Sequence, residues 1–136
     1  MKGLFTDTAG WVACADAADA HYRNAVRARD QWLEERGFLV TTDYIVDETL
    51  TLLKIRLGVR AAAAWWAQVE GTSRVRFEII GTERAEKARQ LFFGYRDKDF
   101  SFTDCTSFVI MQELKLRRAL TTDHHFAQMG FELMPK

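Results

Sequence analysis

The sequence predicts an α/β fold, a three-layer α/β/α arrangement in which a mostly parallel central sheet is flanked by helices. Three observations predict it. Short apolar runs bounded by turn-forming residues, such as Leu4-Phe5-Thr6 ahead of Asp7 and Phe38-Leu39-Val40-Thr41 after Gly37, have the length of buried strands. Segments of helical periodicity separate them, and strand-helix alternation requires crossover connections between parallel strands. With 136 residues and a single proline, Pro135, the chain has room for one sizeable core and no Pro-rich linker to divide it. A single domain over residues 1–136 is expected.

The elements follow in order. The first strand runs into Asp7, and a short helix over 8–15 is expected to turn Trp11, Val12 and Ala15 inward. Asp16 to Asp19 breaks the chain, and Asp19 is placed to cap a helix reaching Glu35, with Tyr22, Val26 and Leu33 among its apolar positions. Gly37 is a helix stop before the second strand, 38–41. Thr42 or Asp43 caps the next helix, which ends at Gly58 and carries Ile45, Thr49, Leu52 and Ile55 on one face. A helix over 59–68 holds Trp65 and Trp66; adjacent tryptophans face different ways, so either one belongs in the core and the other is free for a subunit contact, or both are partly buried within one chain.

Residues 74–80 alternate around Val75, Phe77 and Ile79 as a third strand. Thr82 opens a helix with Ala85, Ala88, Phe92 and Tyr95 at helical spacing. After the charged loop 96–99, a helix starts near Thr103 with Phe108, Met111, Gln112 and Lys115 on one row. Residues 118–122 form a strand that ends on Asp123, one helical turn follows from His124 to Met129, Gly130 stops it, and 131–134 is a last short strand.

Composition narrows the function classes. The apolar fraction of 48% and charged fraction of 28% are those of a soluble globular protein. Nineteen basic and nineteen acidic residues give no global field that would draw in nucleic acid. Cys14 and Cys105 have no metal-ligand spacing and read as small buried residues in a reducing compartment. Asp7 interrupts the opening apolar run, so there is no signal-peptide pattern, and no apolar stretch reaches membrane length. A cytoplasmic location without membrane contact is expected.

Four acids occupy matching junctions: Asp7 and Asp123 at strand ends, Asp104 in the first turn of a helix, and Glu48 on the apolar side of its helix. In a parallel sheet the strand carboxyl ends and the following helix N-termini share one edge, where ligands gather. The four are therefore expected to meet. Carboxylates crowded together repel, whereas hard oxygen donors without clustered cysteine or histidine suit Mg²⁺ or Mn²⁺. Each acid also has a purely local account: Asp7 and Asp123 as helix caps, Asp104 in a capping box with Ser101, Glu48 beside an arginine. Residue spacing leaves both accounts standing.

The stretches Leu4-Phe5-Thr6-Asp7-Thr8, Asp47-Glu48-Thr49, YRDKDFSFTDCTSF from Tyr95 and ALTTDHHF from Ala119 resemble the PIN domain, in order and over essentially the whole chain. The stretch from Tyr95 to Phe126 is the most specific. The resemblance implies a metal-dependent endoribonuclease, and in many members a VapC-type toxin of a type II toxin–antitoxin system. It carries the catalytic and metal-holding roles onto Asp7, Glu48, Asp104 and Asp123, with Thr8 and Thr103 supporting. It further implies Mg²⁺ or Mn²⁺ as cofactor, an RNA substrate, a homodimer, and a small antitoxin that places a basic side chain in the acidic pocket. His124 and His125 read as surface or substrate-facing residues. Asp97 and Asp99 read as an extension of the metal site or, more usually for loop acids, as salt-bridge partners of their basic neighbours, and Arg74, Arg76, Arg84, Lys87 and Arg89 either as an RNA track or as solvated faces. The alternatives are an idle binding partner of the same fold, a housekeeping RNA-processing nuclease, and a phosphoryl-accepting switch. The last needs a strand-end lysine that the sequence lacks.

Overall fold

The computed structural model of the chain describes residues 2–136. In chain order the elements are β1 (Gly3–Thr6), α1 (Thr8–Ala15), α2 (Tyr22–Glu34), β2 (Phe38–Thr42), α3 (Asp43–Leu57), α4 (Val59–Gly71), β3 (Val75–Glu78), α5 (Thr82–Gly94), α6 (Phe102–Glu113), β4 (Arg118–Leu120), α7 (His125–Gln128) and β5 (Glu132–Met134). The strands form one sheet in the order β3-β2-β1-β4-β5, and every pairing is parallel. From β1 the chain builds outward through β2 to β3, then crosses back to add β4 and β5 on the other side. The winding direction therefore reverses between β1 and β4. In open α/β sheets a crevice opens at that point beyond the strand carboxyl ends.

The apolar runs read as strands fill the centre. Leu4, Phe5, Val40, Ala119 and Leu120 have no exposed surface, and Phe108, Ile110 and Met111 of α6 pack into the same core. From Asp104 to Met111 every residue of α6 is buried. Phe5, Phe126 and Phe108 make a chain of ring contacts with centroids 6.1 and 5.0 Å apart. Each such ring contributes about 1.5–3 kcal/mol by leaving water.

Several expected positions differ, for local reasons. Ala15 is exposed and Ala13 takes the inward place. Asp19 does not cap α2: its Oδ1 accepts the backbone N–H of His21, closing a turn, and the helix begins at Tyr22. The buried stripe of α3 runs Ile45, Thr49, Leu53 in four-residue steps and turns away from Ile55, which is 74% exposed. β3 is an edge strand, so Phe77 and Ile79 are exposed and only Ile80 is buried. Trp65 packs edge-on against Trp11 in the core, while Trp66 is half-buried against Phe77. In α6 and beyond, Gln112 and Lys115 face solvent, and Tyr95 lies past the end of α5.

The basic residues considered as an RNA track are largely occupied. Arg74 donates to the carbonyls of Leu33 and Gly37, closing the turn between α2 and β2. Arg76 pairs with Glu78, and Arg84 bridges Glu78 and Glu113. None of the five lines the cleft described next.

Candidate active site

A cleft of about 400 Å³ opens at the carboxyl ends of β1 and β4, and all four predicted acids line it. The sheet register sets the first of them. Phe5 stands opposite Ala119 and Thr6 opposite Leu120, so the next step along each strand puts Asp7 beside Thr121. Asp7 is 4% exposed and makes no capping bond to α1; its Oδ2 instead accepts the Thr121 hydroxyl at 3.0 Å. The same hydroxyl oxygen accepts the backbone N–H of Asp123 at 3.0 Å. Close approach at Gly10 permits this arrangement, because a Cβ there would lie 2.0 Å from the Leu120 carbonyl oxygen. A residue with a side chain cannot seat α1 this tightly on β4.

Asp104 serves two purposes. Its Oδ2 accepts the Ser101 backbone N–H at 3.1 Å while its own N–H donates to Ser101 Oγ at 2.9 Å, the reciprocal bonds of a capping box. That cap locks the carboxylate over the cleft. Asp123 Oδ1 accepts the backbone N–H of His125 at 2.9 Å. Glu48 lies about one and a half turns into α3, whose start is fixed by the Ile45 N–H donating to Thr42 Oγ1 at 3.1 Å. No lysine or arginine lies within ion-pair distance of Glu48 among the described residues, so the arginine partner considered for it is absent.

Burial and crowding show in the protonation. Burial first, then the charge of Asp104, push the Asp7 carboxyl up to about 7, against the pull of the Thr121 hydrogen bond. Asp104 is also raised, mainly by burial and then by Asp123, with the Ser101 bonds and His125 opposing.

Of the surface and substrate-facing places expected for His125, it takes the one that lines the cleft. Its ring is held edge-on against Phe100, centroids 5.6 Å apart at 89°, and Phe100 packs in turn on Phe108. Nδ1 lies 2.9 Å from Asp123 Oδ1 and 3.4 Å from Asp104 Oδ2, buried and aligned as a hydrogen bond to neither. Asp104, Asp123 and His125 each offer a ligand atom, all within 4.8 Å of one another. Asp7 and Glu48 line the same cleft outside this tightest set. His124, by contrast, is exposed.

Of the supporting hydroxyls, Thr8 lines the cleft and its Oγ1 is buried without a partner. Thr103 does not line it. Successive helical residues point about 100° apart, and here Ser101, the cap residue of α6, supplies the hydroxyl instead. Asp97 pairs with Lys98 at 3.7 Å as expected, whereas Asp99 reaches the cleft.

A profile of the PIN domain matches residues 5–132. The chain belongs to the PIN-domain family. It is 32% identical over 134 residues to the 23S rRNA-specific endonuclease VapC20 of Mycobacterium tuberculosis, covering 98% of this chain and 99% of that protein. It is also 32% identical over 114 residues to a VapC ribonuclease of Archaeoglobus fulgidus, covering 82% of this chain and 71% of that one. The crystal structure of Mycobacterium tuberculosis VapC20, a sarcin–ricin loop cleaving toxin, superposes with a TM-score of 0.87 at 32% identity, over 97% of this chain and 99% of that one. The PIN fold expected from the sequence, with its parallel sheet between helical layers, is the one observed.

Within this PIN domain, Thr121 and Gly10 were not singled out in the sequence, Ser101 was read there only as a cap partner of Asp104, and His125 only as a surface or substrate-facing residue. The signal for Ser101 was its three-residue spacing to Asp104. A histidine two residues past a strand-end acid was the signal for His125. Thr121 and Gly10 act through register and close packing, which a linear sequence does not display.

Proposed function

We propose that this PIN domain is a divalent-metal-dependent endoribonuclease, the toxin of a toxin–antitoxin pair. One observation carries the reading. Carboxylates from four separate segments, Asp7, Glu48, Asp104 and Asp123, line a single cleft at the point where the sheet winding reverses. The relatives named as ribonucleases support the choice of RNA.

The residues present suit a divalent cation. Burial first, then the charge of Asp104, keep the proton on Asp7 up to about pH 7, and His125 Nδ1 is a buried nitrogen left without a hydrogen-bond partner. Asp104, Asp123 and His125 would hold the ion, with Asp7 and Glu48 completing the donor set. When bound, such an ion supplies Lewis-acid polarisation of the phosphodiester and a water of lowered pKa. The chain's own part is orientation. Thr121 holds Asp7, the capping box holds Asp104, and Phe100 holds the His125 ring. Asp7 must give up its proton before it can act as an anionic ligand, so loading releases protons.

The test is cleavage of an RNA oligonucleotide in Mn²⁺ or Mg²⁺. Asp7→Asn and Asp104→Asn are expected to lower the rate by at least about 100-fold, more than loss of an outer hydrogen bond would. Cleavage at the unmodified rate with unchanged metal dependence would remove the reading. The single-domain organisation, cytoplasmic location, antitoxin partner and homodimer belong to the same proposal. No helix among the described residues is long and apolar enough to cross a membrane. Exposed Phe92 and Phe93 on α5 are apolar surface that a second copy would cover. Sedimentation of the purified chain decides the homodimer, and co-purification with the product of an adjacent reading frame decides the antitoxin.

A further inference from the structure

The acidic cleft continues along α3 beyond Glu48. Glu48, Leu52 and Arg56 are spaced four residues apart, lie on one face of the helix, and all line the cleft. Eight residues of helix separate Arg56 from Glu48 by about 12 Å along the axis. Among the described residues Arg56 is the one lysine or arginine in the lining, which also carries Asp19 and Asp99 besides the four acids of the site. A polyanion entering there meets repulsion along the walls except at a bound cation and at this guanidinium.

Arg56 is poorly committed within the fold. Its ion-pair partner is Asp19, at 4.0 Å, and the Arg56 side chain is 48% exposed. That separation is beyond hydrogen-bond length, and an open pair of this kind adds little stability. Asp19 is itself fixed, since its Oδ1 accepts the His21 N–H at 2.8 Å. The guanidinium therefore stands at the cleft wall with its forked donors unspent, a geometry suited to phosphate oxygens.

We propose that Arg56 is a substrate-positioning residue that grips a backbone phosphate of the RNA away from the scissile bond, in competition with the Asp19 carboxylate. The inference rests on the endoribonuclease reading and names a binding contact for it. Arg56 is remote from the reacting atoms, so its contribution falls on binding and not on the chemical step.

The experiment uses the full chain and a fluorescein-labelled RNA oligonucleotide, read by cleavage in Mn²⁺ and by anisotropy in EDTA. Salt is varied between about 50 and 200 mM. For Arg56→Ala, KM is expected to rise about tenfold, the size of one lost charge-assisted hydrogen bond, with kcat unchanged within about twofold. The slope of log affinity against log salt is expected to shrink by about one. Arg56→Lys keeps the charge and recovers most of the affinity. Asp19→Asn removes the competing carboxylate and lowers KM, whereas a purely structural ion pair would make it as harmful as Arg56→Ala. Arg60→Ala, an exposed residue outside the cleft, is the control for surface charge. Unchanged KM and salt slope in Arg56→Ala, or a raised KM in Asp19→Asn, overturns the proposal. So does an Arg56→Ala chain that keeps its RNA affinity but loses binding to polyglutamate, which would make Arg56 a contact for an acidic protein. If the unmodified chain cuts no RNA while Arg56→Ala still loses RNA binding in EDTA, the phosphate contact stands and the nuclease reading falls.

Discussion

Thr121 and Asp7, 114 residues apart in the chain, share a buried hydrogen bond in which the Thr121 hydroxyl donates to Asp7 Oδ2 at 3.0 Å. Because the same oxygen accepts from the Asp123 backbone, one side chain sets two acids of the cleft relative to each other. Thr121→Val keeps the volume and removes both bonds. We expect metal affinity and cleavage to fall about 10–100-fold. The acid limb of the pH–rate profile is expected to move to higher pH, since this bond favours the charged form of Asp7. A profile that keeps its acid limb in place would contradict the role given to Thr121.

The protonation of Asp7 links folding to pH. Its carboxyl is raised from 3.8 to about 7 in the folded chain, so the folded state keeps a proton that the unfolded chain releases. The contribution is therefore fully present below 3.8 and is lost as pH rises through about 7. Without divalent cation, stability should fall over that window by an amount on the order of a few kcal/mol. Asp7→Asn should flatten the dependence, and Mn²⁺ should offset the loss at neutral pH. Urea midpoints against pH, in EDTA and in Mn²⁺, measure this; equal slopes for the two chains would count against it.

At Gly10 the clash is with backbone, which cannot swing aside. Gly10→Ala must push α1 away from the Leu120 carbonyl, which lies 2.0 Å from the new methyl position. We expect a loss of about 1–3 kcal/mol and a larger fall in activity than Tm alone explains, because Asp7 heads α1 while Asp123 follows β4. Gly71→Ala, where nothing lies within 4 Å, is the comparison and should leave both quantities near their starting values.

Replacing His125 with alanine takes away the nitrogen between Asp104 and Asp123. Mn²⁺ affinity is expected to drop about 10–100-fold, and Mg²⁺ affinity less, since imidazole suits the softer ion and oxygen donors the harder one. Calorimetric titration with each ion reads the difference. Equal affinities before and after the substitution would leave His125 with no part in holding the ion.

Most of the fold could be read in the sequence because its signals are local. The strand end before Asp7, the stop at Gly58 and the box from Ser101 to Asp104 depend on residues within a turn of one another, whereas β4 stops at Leu120, two residues short of the expected end. The convergence of the four acids was legible one level up, since parallel strands place their carboxyl ends together. What was missed depends on position within the assembled sheet. β3 turned out to be an edge, so Phe77 and Ile79 lost the burial that alternation promised. His125 gained its place from a ring contact with Phe100, contributed by a loop 25 residues earlier. Arg74, weighed as a contact for RNA, is consumed in holding the Leu33 and Gly37 carbonyls.

The reciprocal bonds between Ser101 and Asp104 mean that truncating this side chain also loosens the start of α6. Asp104→Ala deletes an acid and unfastens a helix in one stroke, and a weakened fold would pass for a dead enzyme. Asparagine leaves an oxygen for the Ser101 N–H and separates the two losses. Anyone needing an inert form, for capturing intact RNA or for safe expression in cells, is better served by that exchange.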